Sequence, residues 1–224
     1  FLKIAQGKRD AQPDQFYINL PGYAGKLVFD EDGHVQAIPY AKLKVEVDWT
    51  AHRWSVTTTD GIRYIFGEQF REVSSSTSDC GDTPGAPIIS TWHLKQIISP
   101  NGDKIDFSYQ SAGLISYDLP KSRTEYQVKT IGLAQVNCPG KAADVCGGQV
   151  NASVMRVSEI SSVRGKVTFQ YSTAPRTDIQ GDHLLESVAV EDLKGNVRKT
   201  YELSHSWKWG RPFLNHLVEK GSQN

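Results

Sequence analysis

The chain has 224 residues and a balanced charge, with 25 Lys and Arg residues against 25 Asp and Glu residues. A net charge of zero argues against a nucleic-acid-binding protein, which needs surplus cations, and against a polybasic protein of membrane surfaces. No apolar run approaches the length of about 18 residues that a membrane-spanning helix needs, so we expect no membrane span. The length is sufficient for one sizeable core, which favours a single domain over residues 1–224.

The first residues lack the usual features of a chain start. Residue 1 is Phe1, the single methionine is Met155, and no signal peptide precedes the first strand-like segment. We therefore expect the chain to be a fragment of a larger protein.

The dominant pattern is a strand-like segment, a turn containing glycine, and a second strand-like segment that ends in an aromatic residue. It occurs five times, at 26–40, 54–66, 94–109, 157–171 and 185–201. The Asp-Gly and Asn-Gly pairs in these turns tolerate the positive φ that tight two-residue hairpin turns require. The flanks alternate with period two, so that Ile105, Phe107 and Tyr109 face one way. The pattern predicts an all-β fold of consecutive hairpins in twisted antiparallel sheets, sandwich-like or open-barrel-like, with little helix.

Two stretches interrupt the hairpin pattern. Residues 74–89 are rich in Ser, Gly and Pro, and residues 111–151 are longer and less regular. Both are predicted as irregular loop insertions of one sheet system.

The three cysteines permit one disulfide. Cys138 and Cys146 flank a short turn-rich segment, so a disulfide between them is predicted, and two unpaired thiols are the alternative. Cys80 lies in the other insertion and has no evident partner. These spacings do not form a zinc site, because there is no second pair of close cysteines and no nearby histidine.

Several of these segments resemble a known family. The hairpin with its closing aromatic residue is similar to the units of YD-repeat (Rhs-type) proteins, large bacterial shells that enclose a toxic C-terminal segment. The segments 13–30 and 54–67 are similar to the region ahead of the repeats in those proteins, and 92–103 and 210–221 fit the same pattern. The resemblance covers most of the chain.

The resemblance implies a structural role and no catalysis. The Tyr-Asp-x-x-Gly-Arg core of the repeats is absent, since Tyr117-Asp118 lacks the following Gly-Arg. The chain is thus more similar to the pre-repeat region than to the toxin-enclosing spiral. The family implies a secreted or surface location in a bacterium, and a β-shell built with the remainder of the same polypeptide.

Metal and cofactor motifs are weak. The segment Asp30–Gly33 resembles the start of a calcium loop, but Ala41 occupies the position of the required bidentate glutamate, so a hairpin turn explains it better. The six histidines include no pair at a spacing of two or four residues. The sequence also contains no Gly-x-Ser-x-Gly elbow and no phosphate-binding loop. We therefore expect no cofactor and no metal.

An enzyme remains an alternative interpretation. A glycoside hydrolase needs two carboxylates about 5–10 Å apart in a cleft. Acidic residues on or near the predicted strands could converge in this way, although acids on the wet face of a sheet also serve solubility. The candidates are Glu46, Asp48, Glu159, Glu191 and Asp192.

The tryptophans divide into two groups. Trp49, Trp54 and Trp92 lie in alternating segments and are expected in the core. Trp207 and Trp209 are the candidate ligand-binding residues, because an extended segment would place both indoles on one face, which suits stacking on a sugar or a peptide. The alternative is that both pack under a neighbouring hairpin. A non-enzymatic structural or capping domain is the favoured function, and a carbohydrate- or protein-binding module is the second.

Overall fold

The protein is all-β. The computed structural model describes residues 14–79, 86–125 and 143–221, and within these ranges it contains strands and no helix. The strands are β1 (Gln15–Leu20), β2 (Tyr23–Phe29), β3 (Val35–Ile38), β4 (Lys44–Asp48), β5 (Arg53–Thr57), β6 (Arg63–Ser78), β7 (Ile88–Ile98), β8 (Lys104–Glu125), β9 (Ala143–Ser162), β10 (Gly165–Pro175), β11 (His183–Glu191), β12 (Val197–Lys208) and β13 (Arg211–Gly221). The predicted fold class is confirmed.

The strands form two antiparallel sheets. One contains β1, β2 and β3, and the other contains ten strands in chain order from β4 to β13. Strand β9 also pairs with β6, through 73–78 and 148–153, so the four strands from β6 to β9 form a closed circuit of pairings. Apart from this circuit, the sheet grows by adding each strand to the one before it. That order is the consequence of a sequence made of successive hairpins.

Four of the predicted hairpin turns have the same geometry. In each, the amide of the first residue donates to the carbonyl of the fifth, and the amide of a glycine at the fourth position donates back to the carbonyl of the first. The glycines have φ between 79° and 89°, and they are Gly33, Gly61, Gly102 and Gly195. The residue before each glycine does not have positive φ. These are three-residue loops with a left-handed glycine, so the prediction of two-residue turns is wrong at these positions.

Two compact units are present in the chain. The first comprises Phe1–Glu68 and Leu94–Ile105, and the second comprises Gln69–His93 and Asp106–Asn224. Strands β6, β7 and β8 contribute residues to both units, so the single domain over 1–224 stays a prediction.

The first unit contains the buried core. Leu20 of β1 packs with Val56 of β5 and Tyr64 of β6, and partly buried aliphatic and aromatic residues surround them. Leu27 and Trp54 are also buried. The three-stranded sheet therefore covers the first strands of the larger sheet, as in a small sandwich.

The second unit has long strands and no buried core among its described residues. Every described residue after Gly67 is intermediate or exposed. Large apolar side chains are among the exposed ones, including Leu114, Leu214 and Leu217. A sheet normally buries one face against another layer, so these strands leave apolar surface uncovered.

Both predicted insertions contain more strand than expected. Strand β6 continues to Ser78 and β7 begins at Ile88, while β8 and β9 cover 111–125 and 143–151. The serine-rich end of β6 is held as a strand by its ladder with β9, which overrides the local preference for a turn. Residues 80–85 and 126–142 lie outside the described residues.

Candidate functional site

The β12–β13 hairpin carries the two candidate tryptophans at its tip. Its ladder runs from the Lys199–Gly221 pair to the Lys208–Arg211 pair, leaving Trp209 and Gly210 as a two-residue turn. Both turn residues have positive φ, 51° at Trp209 and 72° at Gly210. This is the primed turn geometry that Asn-Gly normally forms, and here a tryptophan occupies the asparagine position.

Both indoles are exposed. Trp209 is 90% exposed and Trp207 is 44% exposed, so the alternative that they pack under a neighbouring hairpin is wrong. The condition for a shared face is also not met, because the strand ends at Lys208 and Trp209 lies in the turn. Trp209 instead contacts Phe213 edge-on, with ring centroids 6.0 Å apart and planes at 81°.

The same tip concentrates positive charge. Lys208 and Arg211 are directly opposite each other in the ladder, and two like charges in this arrangement destabilise a hairpin. Within 14–79, 86–125 and 143–221, neither side chain forms an ion pair. Further along the same hairpin the charges are matched, since Lys199 binds Glu219 and Lys220 binds Glu202, each at 2.6 Å.

The first unit has a charged groove of about 800 Å³. Two of the predicted carboxylates, Glu46 and Asp48, line it together with Glu68, and the basic residues are Arg53, Arg63, Lys95 and Lys104. The carboxylates are engaged by cations. Lys44 bonds Glu46 at 2.8 Å and lowers the pKa of that carboxyl, and Arg53 contacts Asp48 at 3.3 Å. Glu68 of β6, which has φ 55°, contacts Arg53 at 3.7 Å and also pairs with Lys95.

The remaining predicted carboxylates also have structural partners. Glu159 and Glu191 both contact the Lys166 amine, at 3.6 and 3.4 Å, and raise the pKa of that amine. Asp192 begins the β11–β12 turn and accepts bonds from the Lys194 and Asn196 amides. These arrangements stabilise strands and turns, and none of them supports the interpretation as a glycoside hydrolase.

One acidic group has the composition of a metal site. The ligand atoms of Asp30, Asp32 and His34 lie within 4.8 Å of one another, and all three residues are exposed. Asp30 accepts bonds from the Asp32 and His34 amides and from the Gln36 side chain. Asp192 receives equivalent amide bonds in its own turn, so formation of the turn explains the position of the Asp30 carboxylate without a metal ion.

A polar network in the second unit was missed by the sequence prediction. The Arg156 guanidinium bonds Asp182 at 2.6 Å and stacks on the Tyr171 ring at 5.2 Å. Arg176 bonds the other carboxylate oxygen of Asp182 at 2.8 Å and pairs with Asp178. No spacing motif indicates this network, because its members come from three separate segments.

The tryptophans predicted in the core differ in their environments. Trp54 is buried, whereas Trp49 is 53% exposed, so the prediction is wrong for Trp49. Trp49 lies just after β4 and forms an aromatic group with Phe16, Phe29 and Trp54, with centroid distances of 4.8–6.3 Å. Trp92 is half-buried.

Cys146 is disulfide-bonded. Cys80 and Cys138 lie outside the described residues, so the predicted pairing of Cys138 with Cys146 stays a prediction. Among the described residues, no helix is long and apolar enough to cross a membrane.

No family model and no curated protein matches the chain. The fold is similar to a solved structure of the N-terminal domain of effector protein SpvB from Salmonella typhimurium strain LT2. The two share 10% sequence identity with a TM-score of 0.44, over 96% of this chain and 68% of that chain.

Proposed function

We propose that the chain is a non-enzymatic structural domain that contributes strands to a β-shell, in a secreted or surface protein of the YD-repeat type. Its binding partner is the remainder of its own polypeptide. The observation that carries this proposal is the open edge of strand β13. That strand ends the ten-stranded sheet and pairs only with β12 among the described strands.

Strand β13 has the properties of an edge that accepts another strand. It is eleven residues long and exposes Phe213, Leu214, Leu217 and Val218. Leu217 and Val218 are consecutive and therefore point to opposite faces, so both faces of the strand present apolar surface. Natural edge strands are usually short, charged or covered, because unpaired backbone groups promote pairing with other chains.

The edge strand at the opposite end of the sheet, β4, differs from β13 in length and charge. Strand β4 has five residues, of which Lys44, Glu46 and Asp48 are charged. This is the usual protection of an edge strand, and it marks β4 as a terminating edge. Among the strands that the structure describes, the sheet is therefore protected at one end and open at the other.

The order of the strands supports the identity of the partner. From β4 to β13 every strand lies beside the strand that precedes it in sequence. A further hairpin of the same polypeptide would continue this order and cover β13. The disulfide at Cys146 supports the secreted location, because disulfides persist in oxidising compartments.

Amide hydrogen exchange tests this proposal. We would compare the isolated chain with the same chain expressed together with the sequence that follows it in its gene. The β13 amides that face away from β12 should exchange rapidly in the isolated chain and become protected in the longer protein. Equal exchange of these amides in both proteins would contradict the proposal.

A pair of variants provides the control for the edge. Leu217→Lys places a charge on the open strand and should weaken its pairing. Leu193→Lys introduces the same change at an exposed turn residue that is 71% exposed and lies outside any strand. Only the first variant should reduce the protection of β13 in the longer protein.

A further inference from the structure

The tip of the β12–β13 hairpin combines three features that each oppose folding. Trp209 has φ 51°, a conformation that bulky side chains rarely adopt. Its indole is 90% exposed, and the two residues that flank the turn, Lys208 and Arg211, are like charges directly opposite each other. Several local conflicts at one place are typical of a functional site rather than of a segment selected for stability.

The chemistry of the tip matches one kind of surface. The segment Trp207–Phe213 contains three aromatic residues and two cations, and it contains no acidic residue. The whole chain is neutral, so this positive charge is local. Tryptophan favours the boundary between lipid headgroups and acyl chains, and neighbouring Lys and Arg side chains are attracted to anionic headgroups.

The geometry favours a surface over a bound sugar. The aromatic side chains project from a two-residue turn, and the Trp209 and Phe213 planes stand at 81° instead of forming a flat platform. Trp207 and Trp209 also do not share a strand face. A projecting aromatic tip with flanking cations can enter a headgroup layer, whereas a sugar site requires a stacking face with converging polar groups.

We propose that the β12–β13 tip is a membrane-contacting loop that inserts Trp209 into the interface of an anionic lipid bilayer. Trp207 and Phe213 extend the apolar contact on either side of the turn. Lys208 and Arg211 remain at the level of the headgroups and bind their phosphates. This function is distinct from strand pairing at β13, since it uses the side chains of the tip, whereas pairing uses the backbone of the strand edge. Phe213 belongs to both surfaces.

The substitution Trp209→Asn separates binding from folding. Asparagine is the preferred residue at this position of a primed turn, so the variant should be at least as stable as the parent protein. It removes the indole and leaves both cations in place. The matched control is Leu193→Asn, which changes an exposed apolar residue in the neighbouring β11–β12 turn.

Co-sedimentation with vesicles is the test. Vesicles of equal parts phosphatidylcholine and phosphatidylglycerol should bind the parent protein and Leu193→Asn equally. They should bind Trp209→Asn roughly ten-fold more weakly. Vesicles of phosphatidylcholine alone should bind the parent protein more weakly, and salt should weaken the anionic interaction. Brominated lipid should quench the tryptophan fluorescence of the parent protein more than that of Trp209→Asn.

Three results would overturn the proposal. The first is no binding of the parent protein to anionic vesicles, and the second is equal binding of Trp209→Asn and the parent protein. The third is retention on an immobilised neutral polysaccharide that depends on Trp209, without vesicle binding, which would assign the indoles to carbohydrate instead. Because Trp209→Asn should not lower the urea midpoint, a loss of binding would not result from unfolding.

Discussion

The Arg156 guanidinium donates a 2.6 Å hydrogen bond to the Asp182 carboxylate, joining β9 to the residue that precedes β11. The two side chains are only 10% and 17% exposed. Tyr171 of β10 lies under the guanidinium and donates its hydroxyl hydrogen to the Val157 carbonyl. One arginine therefore connects three consecutive elements of the second unit, where no described residue is fully buried.

Replacing this arginine should destabilise the protein. We expect Arg156→Met to lower the free energy of unfolding by about 1–3 kcal/mol, because it removes charged hydrogen bonds in a partly desolvated site. Asp182 would keep its bond to Arg176, so the loss should be less than that of a wholly unpaired buried charge. Urea unfolding followed by circular dichroism measures this change in the free energy of unfolding.

The control for this prediction is an exposed ion pair of the same sheet. Lys199 and Glu219 are each 51% exposed and joined at 2.6 Å. Lys199→Met should change the free energy of unfolding much less than Arg156→Met does, since solvent screens exposed pairs. Similar losses for Lys199→Met and Arg156→Met would contradict the role given to Arg156.

The repeated turn predicts a cost for a side chain at its glycine. Gly195 has φ 79°, and a Cβ added there would meet no atom within 4 Å. The cost of Gly195→Ala is therefore conformational, and we expect a loss of about 1–2 kcal/mol. Gly221→Ala is the matched control, because that glycine also has open space but no positive φ. A loss at Gly221 as large as at Gly195 would exclude this explanation.

The sequence was sufficient to predict the fold class, because alternation and turn residues are local signals. The turn type was not predictable from the glycine alone, since both the two-residue and three-residue loops end in a left-handed glycine. The distinguishing signal was a polar residue three positions earlier, as in Asp30–Gly33 and Asp192–Gly195. Its carboxylate accepts amide bonds across the loop.

Non-local features of the structure were less predictable. The serine-rich segment 74–78 became strand because β9 pairs with it, and its partner lies about 75 residues away in sequence. The exposure of Trp209 depends on the strand ending at Lys208, a boundary that the alternating pattern does not fix. The opposition of Lys208 and Arg211 follows from the register of the hairpin.

Acid should weaken the β11–β12 turn through Asp192. The Asp192 carboxylate accepts hydrogen bonds from the backbone amide and the side chain of Asn196 and from the Lys194 amide. These bonds lower the pKa of Asp192 to about 2, from about 3.9 in an unfolded chain. The carboxylate thus contributes stability above pH about 4, and this contribution is lost as the pH falls towards 2. Asp192→Asn should be less stable than the parent at neutral pH, and the difference should shrink on acidification.

Urea unfolding of both proteins across this pH range measures the difference. Glu186→Gln serves as a control on the same hairpin, because Glu186 is exposed and lies outside the turn. A difference between Asp192→Asn and the parent that persists unchanged to the acid limit would show that hydrogen bonding to the ionised carboxylate is not its cause.

Burial should delay the ionisation of Tyr109. The ring contacts Phe70 and His93, with centroids 5.0 and 4.8 Å away, and burial raises the pKa of the hydroxyl to about 12. Ultraviolet titration should therefore show fewer phenols ionising near pH 10 in the parent than in unfolded protein, because burial also raises the pKa of Tyr64 and Tyr171. In Tyr109→Phe the latest-titrating phenol should be missing, whereas Tyr40→Phe, at an 84% exposed residue, should leave that late step in place.

The β6–β9 ladder leads to a prediction of the disulfide partner of Cys146. Ser78 pairs with Gly148, and the Asp79 amide donates to the Gly147 carbonyl at 2.9 Å. Cys80 directly follows Asp79 in the sequence and Cys146 directly precedes Gly147, so we predict that Cys80 is the disulfide partner of Cys146. The sequence alone favoured Cys138. Peptide mapping of a non-reduced digest should yield a Cys80–Cys146 link that Cys80→Ser abolishes and Cys138→Ser retains, whereas a Cys138–Cys146 link would contradict this prediction.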